Sequence, residues 1–335
     1  MQWVLNILVG LLPVFLFLAT LVFLDSYKLV SLASIVRTLA VGCCMALIAV
    51  LVNVAILEQF ASSVPYIRYG APIVEESLKA SYVLYLFQRK RIGFMVDAAI
   101  YGFAVGAGFA CVENISYMQS LENSTPIVWV VRGFGTALMH GGTTAIFGII
   151  AKNASDRKQS AGFVAFLPAL GVAMVLHSFY NHFFLAPVLY TIVIVAFLPL
   201  AMVLIFRRSE EATRRWLGVG FDSDVDLLNM ILTGNFTETP IGKYLHSLKS
   251  QFAPEIVADM LCLLRIYTEL AIRAKGILLA RESGLEVSVD AEVKEKLNEM
   301  RYLRKTVGPT GLLALAPFLR VTNRDLWQIN LLEAS

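Results

Sequence analysis

The chain has 335 residues, of which 57% are hydrophobic and only 16% charged, and its net charge is +3. Soluble globular domains carry about 25% charged residues, so this composition argues against a soluble protein and indicates a membrane protein. No basic run interleaved with aromatic residues occurs, which argues against a nucleic-acid partner. The four cysteines show neither a CxxC metal spacing nor a disulfide framework.

The long apolar runs lie in residues 1–206, whereas residues 207–335 have an ordinary soluble composition. A membrane span requires roughly 20 mostly apolar residues. We therefore predict an all-α polytopic membrane protein with about seven transmembrane helices in a domain of residues 1–206. The predicted helices are 3–24, 34–57, 64–87, 92–118, 127–151, 161–183 and 185–206. The first run has no Lys or Arg before it and is longer than a signal-peptide core, so we expect it to be retained.

The distribution of Lys and Arg predicts the orientation. "QRKR" (88–91), "AKNASDRK" (151–158), "RRSEEATRR" (207–215) and Lys28 lie on alternate connections between the predicted helices. Connections rich in Lys and Arg stay in the cytoplasm. We therefore expect an outside N-terminus and a cytoplasmic C-terminus, in a cell (plasma or inner) membrane.

Residues 207–335 are predicted to form a small cytoplasmic helical domain. One helix is expected to end at Gly284, and another to begin after Asp290. The apolar stretch 310–319 is too short to span a membrane. This part shows no catalytic constellation, and binding a regulator or self-association are both roles open to it.

Ionisable residues inside spans are costly and tend to mark function. At about 1.5 Å per residue, Glu75, Glu113, His140 and His177 would lie at compatible depths on four different helices. The candidate site residues on these helices are Glu75, Glu76, Lys79, Glu113, Asn114, Arg132, His140, His177 and Asn181.

The third predicted helix carries three of these residues close together. Lys79 follows Glu75 by four positions, so we expect an ion pair between them. Glu76 lies about 100° round the helix from Glu75 and is expected to orient the site or a neighbouring helix. A helix restart at Pro72 would place Glu75 in a first turn, where the helix dipole favours an ionised carboxylate suited to act as a base.

We expect structural roles for several other polar or small residues. Asp97 is expected to cap its helix or pair at the interface, and His182 to form a bridging hydrogen bond. Arg132 either snorkels to the interface or pairs with an acidic group of the site. Gly102 and Gly106 are four residues apart and are expected to pack against another helix.

Two carboxylates and two imidazoles in a water-accessible intramembrane pocket suggest hydrolysis. A carboxylate can deprotonate water while a polar donor stabilises the oxyanion. Alternatively, Glu113, His140 and His177 form a His₂Glu set of the kind that binds catalytic zinc, with Glu75 as the base. The HExxH motif is absent, and spacing does not decide between the two mechanisms.

Four motifs on successive helices resemble a known family. "EESLK" (75–79), "GFACVENISY" (108–117), "HGGTTAIFG" (140–148) and "HSFYN" (177–181) occur in this order. The pattern resembles the PrsW family of intramembrane proteases, distantly related to the CAAX-type membrane endopeptidases. It covers roughly residues 68–182 and leaves residues 207–335 outside.

The resemblance implies a protease that cleaves a membrane-anchored protein near or within the lipid bilayer. In the family's best-known role the substrate is an anti-sigma factor, cut on its extracytoplasmic side to start a stress response. The family is described as metallo- or glutamic-type, so one Zn²⁺ ion and a metal-free mechanism both stay open. The implied catalytic positions are Glu75, Glu76, Glu113, His140 and His177, and the supporting candidates are Lys79, Asn114, Arg132 and Asn181.

Two other functions fit part of the pattern. A proton-coupled transporter or channel also uses intramembrane Glu, Lys and His, but its sites would be spread along a path, and no inverted repeat is visible. An inactive membrane sensor would be expected to lack one of the catalytic residues, whereas this chain carries the full set.

Overall fold

The computed structural model describes residues 2–59, 62–120, 125–157, 163–285, 287, 290–319 and 323–334. Within these ranges the chain forms helices and no strand, which confirms the all-α prediction. The chain divides into two compact units, Met1–Glu210 and Glu211–Ser335.

Seven main helices build the first unit, and each predicted span falls on one of them. The last continues to Leu232, past its predicted end at residue 206, because the charged residues after that point end the apolar run without breaking the helix. The helices are α1 (Gln2–Phe23), α2 (Leu32–Leu57), α3 (Ala71–Gln88), α4 (Met95–Ser120), α5 (Leu138–Arg157), α6 (Leu167–His182) and α7 (Pro187–Leu232).

Six helices in the described part of the chain are long and apolar enough to cross a membrane. The chain is therefore an integral, multi-pass membrane protein. The six do not include α3, which carries three charged side chains within five residues. A seventh span and the orientation of the termini stay predictions.

Two π-helical segments precede the helices that carry Glu75 and His140. The first π turn (Tyr66–Gly70) leads into α3, and the second π turn (Val131–Ala137) leads into α5. A π turn widens the helix locally and is frequent at functional sites.

The first π turn shows that the helix does not restart at Pro72, which is the condition under which Glu75 would lie in a first turn. The Ala71 N–H donates to Tyr66 O, and Gly70 has right-handed helical angles, so the chain stays helical through this point. Proline is accommodated here because the wider turn removes the clash of its ring with the preceding backbone. Glu75 is therefore not at a free helix N-terminus, and the helix-dipole argument for its ionisation does not apply.

The helices α4 and α5 form the centre of the first unit. Each candidate span has an apolar stretch of 18 residues, and 83% of this stretch is buried in Met95–Met118 and 72% in Pro126–Arg157. In the other four candidate spans at most 28% of the stretch is buried. A Cβ atom at Gly102 would lie 2.5 Å from Thr144 O, and one at Gly106 would lie 2.2 Å from His140 O. The predicted helix-packing role of both glycines is confirmed, and this close approach fixes His140 relative to α4.

Two of the polar residues with expected structural roles form hydrogen bonds to nearby backbone groups. Asp97 accepts hydrogen bonds from the N–H groups of Gly93 (2.7 Å) and Phe94 (2.8 Å), which confirms that it caps α4. His182 contacts Ser178 O on its own helix at 2.7 Å, so this hydrogen bond does not bridge two helices.

In its described residues, the second unit contains four further α-helices besides the end of α7. They pack around a core that includes the fully buried side chains of Met260, Leu264 and Leu315. The predicted stretch 310–319 lies beyond a kink at Gly308 (φ 69°) and joins this core. The helices are α8 (Pro240–Ser247), α9 (Pro254–Glu282), α10 (Ala291–Leu315) and α11 (Asn323–Ala334).

Both helix boundaries predicted in this unit are confirmed. The helix α9 ends just before Gly284, whose φ of 77° is in the left-handed region that favours glycine. The helix α10 begins after Asp290, whose side chain accepts a hydrogen bond from the Val293 N–H.

Candidate active site

Four helices bring one ionisable side chain each to a common point: Glu75 from α3, Glu113 from α4, His140 from α5 and His177 from α6. We call them the Glu/His cluster. Glu113 Oε2 lies 2.6 Å from His140 Nε2, and Glu75 Oε2 lies 3.9 Å from His177 Nε2. The two imidazole rings meet edge to face with centroids 4.9 Å apart. The structure thus brings together residues that are up to 102 positions apart in the chain.

The imidazoles of the cluster are buried, whereas its carboxylates are partly accessible. The side chains of His140 and His177 are 2% and 3% exposed, and those of Glu75 and Glu113 are 13% and 25% exposed. The open side of the cluster is therefore the side of its carboxylates.

Three members of the cluster form a candidate metal site. Glu75, His140 and His177 each offer one ligand atom, and these atoms lie within 4.8 Å of one another. The ligand set predicted from the sequence contains Glu113 in place of Glu75. Glu113 adjoins the group through His140, but its other oxygen, Oε1, is turned to Arg132 at 3.2 Å.

One buried oxygen supports the fit of a cation. Glu113 Oε2 is buried and lies 2.6 Å from His140 Nε2, without the alignment of a good hydrogen bond. A buried carboxylate oxygen without a well-aligned partner is costly. Two imidazoles and a carboxylate are also the donor types that zinc takes in catalytic sites, so the residues present fit such an ion.

Glu76 and Lys79 form a buried ion pair behind the cluster. Lys79 Nζ donates to Glu76 Oε1, and the two side chains are 0% and 1% exposed. The predicted pairing of Lys79 with Glu75 is therefore corrected to Glu76, three positions away instead of four. Thr143 Oγ1 also donates to Glu76 Oε1, at 3.3 Å. A contact from the neighbouring α5 therefore also favours Glu76 as the buried partner of Lys79.

The same pair fixes His177. Glu76 Oε1 lies 2.8 Å from His177 Nδ1. A carboxylate paired with an ammonium is ionised and can only accept, so His177 Nδ1 donates to Glu76. The other ring nitrogen, Nε2, is on the side of Glu75. The 3.9 Å between Nε2 and Glu75 Oε2 is too long for a hydrogen bond and suits a bridging water.

Arg132 pairs with the acidic group of the site and does not snorkel away. Its Nε donates to Asn114 Oδ1 at 2.9 Å, and its Nη2 donates to Glu113 Oε1 at 3.2 Å. Its guanidinium also lies 3.7 Å from the centroid of the Tyr117 ring. Asn114 in turn donates to Gly10 O on α1 at 2.7 Å. These contacts hold one oxygen of Glu113 in place.

Asn181 lies on the same helix as His177 but serves the first π turn. Its Nδ2 donates to Ile67 O at 3.0 Å, and Ser178 Oγ donates to Arg68 O at 2.6 Å. Pro72 has no N–H, so the carbonyls of the preceding turn need other donors. The motif "HSFYN" therefore supplies the imidazole of His177 and also ties α6 to the first π turn.

Sequence reasoning missed three residues near the carboxylates, two of which contact a carboxylate directly. Asn53 donates to Glu75 Oε1 at 3.0 Å, and Tyr66 donates to Asn53 Oδ1 at 2.7 Å. The third is Thr143, beside Glu76. The signal for Asn53 was present in the sequence, because it is a lone amide in the otherwise apolar second half of α2, residues 45–57.

A family model described as "PrsW family intramembrane metalloprotease" matches residues 30–206. The match covers more than half of the chain and contains the whole Glu/His cluster. Neither the comparison with curated proteins nor the comparison with solved structures finds a match.

Proposed function

Because the chain belongs to the PrsW family of intramembrane metalloproteases, it is a membrane-embedded protease, and we propose that it hydrolyses a membrane-anchored protein with Glu75 as the water-activating base. The observation that supports this mechanism is the convergence of Glu75, His140 and His177 within 4.8 Å, from three different helices. The partly exposed carboxylates give water a route to a buried pair of imidazoles.

In the proposed mechanism Glu75 Oε2 takes the proton of the attacking water and later delivers it to the leaving amine. Its other oxygen, Oε1, is already held by Asn53, which leaves Oε2 to face His177. The residues that would hold a metal ion in this mechanism are His140, His177 and Glu113, whose Oε2 lies 2.6 Å from His140 Nε2. In the group whose ligand atoms lie within 4.8 Å of one another, Glu75 takes the place of Glu113, and the variants below distinguish the two assignments. When bound, a zinc-type ion polarises the scissile carbonyl and makes water more acidic.

One contact favours a metal-free variant of the same hydrolysis. Lys79 Nζ lies 3.2 Å from His140 Nδ1. If that ammonium donates to Nδ1, the neutral ring carries its proton on Nε2, beside Glu113. His140 is then a hydrogen-bond donor that could stabilise an oxyanion and is not a metal ligand.

We extend the proposal to the substrate and the cellular setting on the strength of the resemblance and the charge distribution. The substrate is an anti-sigma-factor-like protein cut on its extracytoplasmic side, in a stress response. The protein lies in the plasma or inner membrane with its C-terminus in the cytoplasm, as the Lys and Arg connections favour. The second unit binds a regulator or self-associates.

The test uses the full-length protein in liposomes with a single-span reporter protein carrying a tag at each end. Glu75→Gln should lower cleavage by about 10²–10⁴-fold, the usual contribution of a general base, and should keep its metal content. Glu113→Gln should lose metal. Glu58→Gln is the matched control, because Glu58 is exposed at the end of α2.

Three outcomes distinguish the proposed mechanism from its alternatives. Wild-type cleavage by Glu75→Gln would overturn the proposed base. Loss of metal from Glu75→Gln would make Glu75 a ligand and would also overturn that role. Full activity after chelation, with no metal in the purified protein, would replace the metal mechanism by the metal-free one.

A further inference from the structure

Asn53 and Tyr66 contact the proposed base from outside the motifs of the family. Asn53 lies on α2 and donates from Nδ2 to Glu75 Oε1 at 3.0 Å. Tyr66 lies in the first π turn and donates from its hydroxyl to Asn53 Oδ1 at 2.7 Å. Two consecutive hydrogen bonds therefore lead to the carboxylate.

We propose that Tyr66 and Asn53 form a positioning relay that holds the Glu75 carboxylate in its working orientation. This inference rests on the proposed role of Glu75 as the base. The hydrogen bonds from Tyr66 to Asn53 and from Asn53 to Glu75 join the Glu/His cluster at that carboxylate, so both residues act through Glu75.

The direction of the relay follows from the donors and acceptors. A carboxylate accepts only, so it needs the NH₂ side of the Asn53 amide. An amide can rotate by 180° and present its oxygen instead. The Tyr66 hydroxyl prevents this by donating to Oδ1, because the rotated amide would place an oxygen against the carboxylate. Tyr66 therefore fixes the amide, and the amide fixes Glu75 Oε1.

The relay leaves the other oxygen of Glu75 for the reaction. With Oε1 bound to Asn53, Oε2 stays directed toward His177 Nε2, 3.9 Å away. A carboxylate that could turn freely would spend part of its time with neither oxygen aimed at that gap. Holding a reacting group in one orientation is a large source of catalytic rate.

The first π turn holds Tyr66 rigidly. Its side chain is 4% exposed. A Cβ at position 70 would lie 2.3 Å from the Tyr66 ring, so only glycine at this position lets the ring lie back along the turn. Ser178 and Asn181 on α6 hold the carbonyls of Arg68 and Ile67 in the same turn. The π turn thus connects α6 to the relay.

The test measures kcat and KM of the reconstituted full-length protein for Asn53→Leu, Tyr66→Phe and the double variant. Asn53→Leu should lower kcat by about 10–100-fold, as loss of a partner behind a site residue typically does, with KM unchanged. Tyr66→Phe should lower kcat by about 5-fold, the effect of one hydrogen bond. The double variant should match Asn53→Leu alone, since Tyr66 acts through Asn53.

Matched controls remove similar groups elsewhere. Thr38→Val deletes a buried hydroxyl from α2 that donates within its own helix, to Ser34 O at 2.8 Å. Tyr69→Phe deletes a phenol from the same π turn, where the ring is 59% exposed. Both should keep wild-type kcat. Metal content and the thermal unfolding midpoint of every variant should stay at the wild-type values.

The outcomes separate this inference from the proposed function. Wild-type kcat in Asn53→Leu, while Glu75→Gln is inactive, would overturn the relay and keep the base. Additive losses in the double variant, with a lowered unfolding midpoint, would show a structural role only and would also overturn it. An active Glu75→Gln would overturn both.

Discussion

The crossing of α4 and α5 gives a prediction whose magnitude follows from the structure. In Gly106→Ala the new Cβ would lie 2.2 Å from His140 O, whereas ordinary contact begins at 3.4 Å. The two helices must therefore separate by about 1.2 Å at the residue that carries an imidazole of the site. A displacement of about 1 Å in an active site can cost about 10²-fold in rate.

We expect Gly106→Ala to lower kcat of reporter cleavage by about 10²-fold. Gly102→Ala should lose less, because its Cβ overlaps less (2.5 Å from Thr144 O) and lies one turn farther from His140. Overpacking of this kind also costs about 1–3 kcal/mol of stability, so the unfolding midpoint should fall in the same order. The assay is cleavage per folded molecule in liposomes, with thermal unfolding measured on the same samples.

The matched control is Gly171→Ala on α6, where nothing lies within 4 Å of the new Cβ. It should keep full activity and gain up to about 1 kcal/mol, since alanine favours the helix over glycine. Wild-type activity in Gly106→Ala would refute the argument that this crossing positions His140. A larger loss in Gly102→Ala than in Gly106→Ala would refute it as well.

Three further predictions concern single side chains. Glu76→Gln leaves the buried Lys79 ammonium without its carboxylate and should destabilise by about 3–5 kcal/mol, whereas Glu75→Gln should unfold near the wild-type temperature. In the second unit, Asp290→Ala removes the cap of α10 and should cost about 1 kcal/mol, read from the unfolding midpoint. Burial raises the pKa of Glu269, but hydrogen bonds from two cationic neighbours lower it more, so its pKa is below the usual value. A carboxyl group whose pKa is lower in the folded state stabilises the protein above the unfolded pKa of about 4.3, and this stabilisation is lost as the pH falls. The stability of Glu269→Gln should therefore fall less steeply than that of the wild type when acid is added below about pH 5. Equal acid sensitivity of the two proteins would contradict this.

Local chemistry made several features predictable from the sequence. Long apolar runs predicted where each helix of the first unit lies, because the hydrocarbon layer requires about 20 such residues. Gly284 and Asp290 marked helix ends, since a left-handed angle and a side-chain cap are properties of single residues. The end of α7 was not predictable in this way, because charge ends an apolar run without ending a helix.

The partners of the charged residues required the tertiary structure. Both Glu75 and Glu76 are close enough along the helix to pair with Lys79. The spacing of four residues favoured Glu75 in the prediction. The contacts of Glu76 with His177 and Thr143 decide the matter, and these come from other helices. Helix periodicity carries no information on which neighbouring helix supplies such contacts.

The sequence by itself determined that this is a helical membrane protein with four motifs of an intramembrane protease on successive helices. Only the tertiary structure placed Asn53 on Glu75 and gave Asn181 to the first π turn. It also showed Pro72 within a continuous helical segment. The physical reason is that hydropathy and motifs are local, whereas hydrogen-bond partners depend on which helix faces cross and how closely.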